Sequence, residues 1–289
     1  MKNENLGTFC NDYNQEIIYS SSDYEWKICK NCDLIYQISN SDRINKVKEI
    51  QFNDFIEPSE SNKSEFTSVM EKLKKYTNLS DLTFFDFGCA DGSYLKIAEK
   101  YFKKVQGMEP NPFLKNKAIK KKLDILDDNF LDIEGPFYDV MFTRNTFEYV
   151  TNFSDSLTKL MNKLKNNGYF IWRDKFYDYY PKNYSSIDFS DGFNSLPTKN
   201  AIKYHLSINR IKIIESRFYF DKSFLIIGQK NNNSKKIYKK KININTIFYN
   251  NYLVCNIIFY LSEKIHSIYV LLRKFKFLKL IKKWKITLI

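Results

Sequence analysis

The chain has 289 residues, 43% of them apolar, which is enough for a sizeable core in one domain with extensions or in two small domains. Its formal net charge is +13, but thirteen basic residues and a single acid, Glu263, lie from Asn231 onward, so the tail carries +12 and the body about +1. A near-neutral body excludes a nucleic-acid-binding domain with a basic face, and the positive field belongs to the tail.

Residues 1–41 read as a small separate unit. Ile28-Cys29-Lys30-Asn31-Cys32 is a C-x-x-C knuckle followed by a strand-like run, and Cys10 lies nineteen residues before Cys29. A zinc ribbon needs four ligands, usually two such knuckles. Here the first is incomplete, because Tyr13 stands where a partner for Cys10 belongs. Zinc on Cys10, Cys29 and Cys32 is one reading; a hairpin held by apolar contacts around Trp26, Ile28 and Ile35 is the other. The five cysteines are odd in number, and Met1 to Asp12 is polar without an apolar leader. A reduced, cytoplasmic setting is therefore expected.

Residues 42–80 form a helical lead-in, with Phe66, Val69, Met70, Leu73 and Tyr76 recurring at helical spacing. Strands are then predicted at 83–87, 105–109, 123–126, 138–143 and 168–173, with helices near 92–103, 112–121 and 153–165. Alternation of this kind demands a mostly parallel sheet with right-handed crossovers. A helix over 198–206 and two strands, 210–219 and 224–230, complete the body. Residues 231–245 read as a basic linker. In 246–289, Ile268, Leu272, Phe275, Leu278 and Ile281 recur among lysines as a basic amphipathic helix.

The densest signal is Thr83-Phe84-Phe85-Asp86-Phe87-Gly88-Cys89-Ala90-Asp91-Gly92-Ser93: an apolar strand, a glycine turn and a helix start. Glycines let backbone approach a ligand closely, and the helix points free amides at it. Glu109 follows about twenty positions on, where a nucleotide-binding βαβ unit places a carboxylate against a ribose. This segment resembles the glycine-rich motif of class I S-adenosylmethionine (SAM) methyltransferases, and the likeness covers about Thr83 to Lys230.

The resemblance implies a Rossmann-like α/β fold: a mostly parallel seven-stranded sheet ending in an antiparallel hairpin over 81–230. The small ribbon at 1–41 and a helical tail flank it. It also implies SAM as cofactor. Asp86 then reaches the amino-acid end, while Gly88, Ala90 and Gly92 give close backbone approach. Asp91 caps the helix or lines the site. Glu109 takes the ribose hydroxyls, with Met108 and Pro110 beside the adenine. In Asp127-Asp128-Asn129-Phe130, Asp128 is assigned to the adenine amino group and Phe130 to its ring. Thr143 and Arg144 border the sulfur.

Small-molecule members of the family often carry two histidines around a Leu-Glu pair after this strand. Here those positions hold Asn145 and Tyr149, around Phe147-Glu148. The candidates for removing an acceptor proton are Glu148, Asp174, Tyr149 and His205. Lys175 to Ser195 reads as a tyrosine-rich lid. The expected activity is methyl transfer to a small-molecule or glycan acceptor, with O-methylation of a sugar in surface-polysaccharide assembly favoured. The tail would hold the enzyme at the membrane's inner face, with nucleic acid disfavoured as a partner. The rivals are a non-catalytic SAM-fold scaffold at the membrane and an RNA methyltransferase tethered by its basic tail.

Overall fold

The computed structural model describes residues 15–20, 24–39, 57–177, 193–219 and 223–231. The chain divides into two compact units, 1–238 and 239–289. All described residues lie in the first. The expected basic linker and amphipathic tail, Cys10, and most of the tyrosine-rich insertion fall outside the described residues.

Three strands open the described chain: β1 (Gln15–Ser20), β2 (Tyr24–Cys29) and β3 (Ile35–Ser39). They pair antiparallel in order, and β3 pairs with β9 (Ser195–Leu196). The N-terminal segment is therefore not a separate unit: Ile35 faces Leu196 and Tyr36 faces Ser195 across a shared ladder. Trp26, Ile35 and Leu196 bury together at that seam. Local sequence hid this joint because β9 is only two residues long and draws its pairing from a partner some 160 residues away.

The main sheet has the order β10-β11-β8-β7-β4-β5-β6. Its strands are β4 (Thr83–Phe87), β5 (Lys104–Met108), β6 (Asp124–Leu126), β7 (Tyr138–Arg144), β8 (Leu164–Lys175), β10 (Ile211–Phe218) and β11 (Ser223–Lys230). Only β11 runs against its neighbours. Each central strand sends alternate side chains to opposite faces, as period-two geometry requires. Phe84, Val140, Phe142 and Ile171 bury on one face; Phe85, Met141, Phe170 and Trp172 bury on the other.

Helix α1 (Glu60–Leu73) covers the first face with Phe66, Val69, Met70 and Leu73. Ser59 caps it by accepting the Asn62 amide at 3.2 Å. Helices α2 (Ser93–Ala98) and α3 (Pro112–Lys120) join the same side through Leu95, Ala98 and Ala118. Helices α4 (Phe153–Lys163) and α5 (Lys199–Ile208) cover the other face. Asn111, Asn152 and Thr198 cap α3, α4 and α5.

Near the start of β8, Asn167 is left-handed (φ 63). Gly168 serves close approach: a Cβ there would sit 2.9 Å from the Asp139 carbonyl oxygen.

The chain order sets the site. From β4 the chain winds outward through β5 and β6, then crosses back to β7 on the opposite side of β4. Crossovers diverge at that point, leaving a crevice beyond the carboxyl ends of β4 and β7.

Candidate active site

The crevice floor is the turn after β4. Gly88 (φ 79), Ala90 (φ 50) and Gly92 (φ 76) all take left-handed conformations. This strains Ala90 and suits the glycines. A Cβ at Gly88 would collide with Thr146, and one at Gly92 with Leu123. The amides of Gly88 and Cys89 both donate to the Met108 carbonyl, at 2.9 and 3.0 Å, pinning the turn to the end of β5.

Three carboxyls converge on this turn. Asp86 is 1% exposed, and its Oδ2 has no hydrogen-bond partner. Burial first, then the charges of Glu109 and Asp91, push its carboxyl well above the usual range. Glu109 Oε2 accepts the Ala90 amide at 2.9 Å and Oε1 the Asn111 amide at 2.8 Å. It thus bridges the turn and the cap of α3. Asp91 accepts from Ser93 and pairs with Lys121 of α3. Its carboxyl therefore braces the start of α2. Pro110 is exposed beside Glu109, at the crevice mouth.

The remaining expected residues divide. Thr143 is buried, its hydroxyl donating to the Phe87 carbonyl at 3.1 Å. Arg144 turns away to α1, donating to Glu65 at 3.0 Å and Asn62 at 2.8 Å, with its guanidinium over the Tyr94 ring. Phe130 is 5% exposed and packs against Phe85 and Tyr138, within the core of the second face. The Asp128 side chain lies outside the described residues. Its neighbour Asp127 is exposed and pairs with Lys115 at 3.1 Å.

A second buried acidic pair lies beyond the ends of β7 and β8. Asp174 accepts from the Phe147 amide (3.3 Å), the Lys175 amide (2.9 Å) and the Trp172 indole (3.2 Å). Burial raises its carboxyl to about 6 against these donors. Glu148 is 3% exposed with Oε2 unpartnered. Burial and the neighbouring Asp174 push it up to about 8, opposed by Lys175 and the Tyr149 hydroxyl. Two carboxyls this close resist ionising together. The well-donated Asp174 is the better carboxylate, and Glu148 is the proton holder. Burial likewise raises the Tyr149 phenol, which leaves it a donor.

The loop bearing Glu148 touches the glycine turn directly. Thr146 Oγ1 donates to the Phe87 carbonyl at 3.1 Å, and the Phe87 and Phe147 rings meet at 5.6 Å. The same loop is held by residues that local sequence did not mark. Asn194 donates to the Glu148 and Tyr149 carbonyls at 2.7 and 2.6 Å, and Ser195 to the Phe147 carbonyl at 2.8 Å. Glu65 is another: burial would raise it, but Arg173 and Arg144 hold it below the carboxylate range. His205 sits apart from this cluster, on α5 between the Phe153 and Tyr204 rings. Burial lowers it to about 4, with Cys29 opposing, so it is a neutral imidazole.

Residues 60–200 match a family model described as a methyltransferase domain. No curated protein matches the chain. Among solved structures, a candidate sarcosine dimethylglycine methyltransferase from Galdieria sulphuraria superposes with a TM-score of 0.52 at 10% identity, covering 58% of this chain and 85% of that one. A geranyl diphosphate methyltransferase solved with SAM gives 0.50 at 13% identity, with the same coverage. Both speak for the fold.

The crevice fits a ligand with a cationic end: a buried, unpartnered carboxyl oxygen lies beside a turn whose left-handed glycines leave no room for side chains. The zinc reading fares differently. Cys29 and Cys32 are buried on the knuckle, beside the Asp33–Asn200 bond (2.7 Å) that docks it on α5. No three metal-ligating side chains are grouped among the described residues. Two thiols alone fall short of a tetrahedral set, and Cys10, the third expected ligand, lies outside the described residues.

Proposed function

We propose that this chain is a SAM-dependent methyltransferase acting on a hydroxyl of a small-molecule or glycan acceptor. The carrying observation is the unpartnered Asp86 oxygen beside the glycine turn at the sheet's switch point. When bound, the cofactor supplies a methyl group on a positively charged sulfur that leaves as a neutral thioether. Asp86 would hold its ammonium group and Glu109 its ribose hydroxyls, with the backbone of the 88–92 turn approaching it closely. Pro110 and Asp128 would bound the adenine.

On the acceptor side, the ionised form of Glu148, which grows as pH rises toward about 8, is the base: its Oε2 receives the hydroxyl proton as the new carbon–oxygen bond forms and the carbon–sulfur bond breaks. Tyr149 orients Glu148 by donating to it, and Asp174 fixes the loop amides. Alignment and water exclusion supply the rest of the acceleration. Tyr177 and Phe193, whose rings lie 6.5 Å apart, flank the insertion expected to cover the acceptor. The basic tail would hold the enzyme at an anionic membrane surface.

Calorimetric titration with SAM and its demethylated product tests the cofactor assignment. Binding of either, weakened by Glu109→Ala, supports it; no heat from both refutes it. Transfer of labelled methyl to sugar-nucleotide acceptors tests the acceptor class. Anionic-vesicle binding that disappears on deleting 239–289 tests the membrane role.

A further inference from the structure

Asp86 stands in an electrostatic position that the cofactor assignment alone does not explain. It ends a central strand, paired in register with Gly107 and Phe142, so its backbone cannot swing the side chain toward water. The titratable groups around it are acidic or neutral: Glu109 from the end of β5, Asp91 from the turn, the Cys89 thiol, and the Tyr94 phenol from α2. Lys121, the C-terminal cap of α3, is paired with Asp91. Across the sheet, β7 presents Thr143, whose hydroxyl is committed to Phe87. Arg144, farther along β7, pairs with Glu65. No described residue donates to Asp86 Oδ2. A buried carboxylate without donors, flanked by two other carboxylates, is a high-energy species.

We propose that Asp86 carries a proton in the ligand-free chain and releases it when a primary ammonium group takes the proton's place, so that cofactor capture is coupled to proton release. This rests on the SAM reading above. The exchange balances: a neutral carboxyl and an ammonium become a carboxylate–ammonium pair, and one proton passes to solvent. The pocket gains a cation without gaining net charge, which keeps the three-carboxyl cluster tolerable in both states. Where Asp86 is protonated in the free chain, affinity climbs about tenfold per pH unit, the linkage for one proton released.

The test is calorimetry on the full chain in two buffers of different ionisation heat, between about pH 5.5 and pH 7, below the ordinary α-amino range. Three probes are used: SAM, S-adenosylhomocysteine and 5′-methylthioadenosine, which lacks the amino-acid end. About one proton is expected to leave with each of the first two and none with the third. Asp86→Asn is expected to abolish the release. SAM binding with no proton exchange overturns the proposal. So does equal release with methylthioadenosine, or release that survives in Asp86→Asn. The wild-type comparison needs no variant and stands if Asp86→Asn does not fold. Failure of the SAM reading looks different: none of the three probes gives heat.

Discussion

Glu148→Gln gives the sharpest test of how the acceptor side is built. Glu148 sits at about 8 in the folded chain against an ordinary 4.5. Its folded value is raised, so between these limits the folded chain holds a proton that the unfolded chain has lost. Stability contributed by that proton is complete below about pH 4.5 and drains away as pH rises through the folded value. At about 1.4 kcal/mol per pH unit, the interval from pH 4.5 to pH 7 costs about 3 kcal/mol. Glutamine keeps the shape and an oxygen for the Tyr149 hydroxyl but cannot titrate. The variant is therefore expected to gain on wild type by about 3 kcal/mol across that interval, or about 6–12 °C in Tm at this domain size. Urea unfolding followed by near-ultraviolet circular dichroism at several pH values reads the difference directly, since the other carboxyls cancel between the two proteins. Parallel stability–pH curves for wild type and variant would show that Glu148 ionises like a surface glutamate, and the proton-holder assignment would be wrong.

Asp174→Asn should lose stability instead. It places an amide against the donors of Phe147, Lys175 and Trp172 and should destabilise by about 2–3 kcal/mol below about pH 4, a deficit that narrows as pH rises through about 6, where the wild type loses the contribution of its own raised carboxyl; the same unfolding series measures it. Glu109→Ala strands the Ala90 and Asn111 amides and removes the ribose acceptor, so SAM affinity should fall by about tenfold or more; unchanged calorimetric affinity would remove Glu109 from the site. Gly92→Ala forces a Cβ against Leu123 at φ 76 and should cost about 1–3 kcal/mol of stability, read as a lowered Tm. Glu65→Ala leaves two guanidiniums facing each other behind α1, and limited proteolysis should then cut in α1 faster than in wild type.

Much of this architecture was legible because its signals are local. The strand expected at 83–87 and the helix expected near 112–121 are β4 and α3. The glycine turn was readable from Gly88 and Gly92, whose conformations few other residues adopt.

The chain by itself determined the alternation of strands and helices, the carboxylate-flanked turn, and the uneven charge between body and tail. All three are written in nearest-neighbour chemistry. Only tertiary structure decided that the N-terminal strands join the α/β body through β9, and that Asn194 fastens the Glu148 loop. It also decided that Glu65 draws Arg144 away, and that His205 lies buried against aromatic rings. These depend on contacts between residues from about 45 to 160 positions apart. A residue's solvation, and with it the proton on Glu148 or Asp86, exists only once such contacts have closed over it.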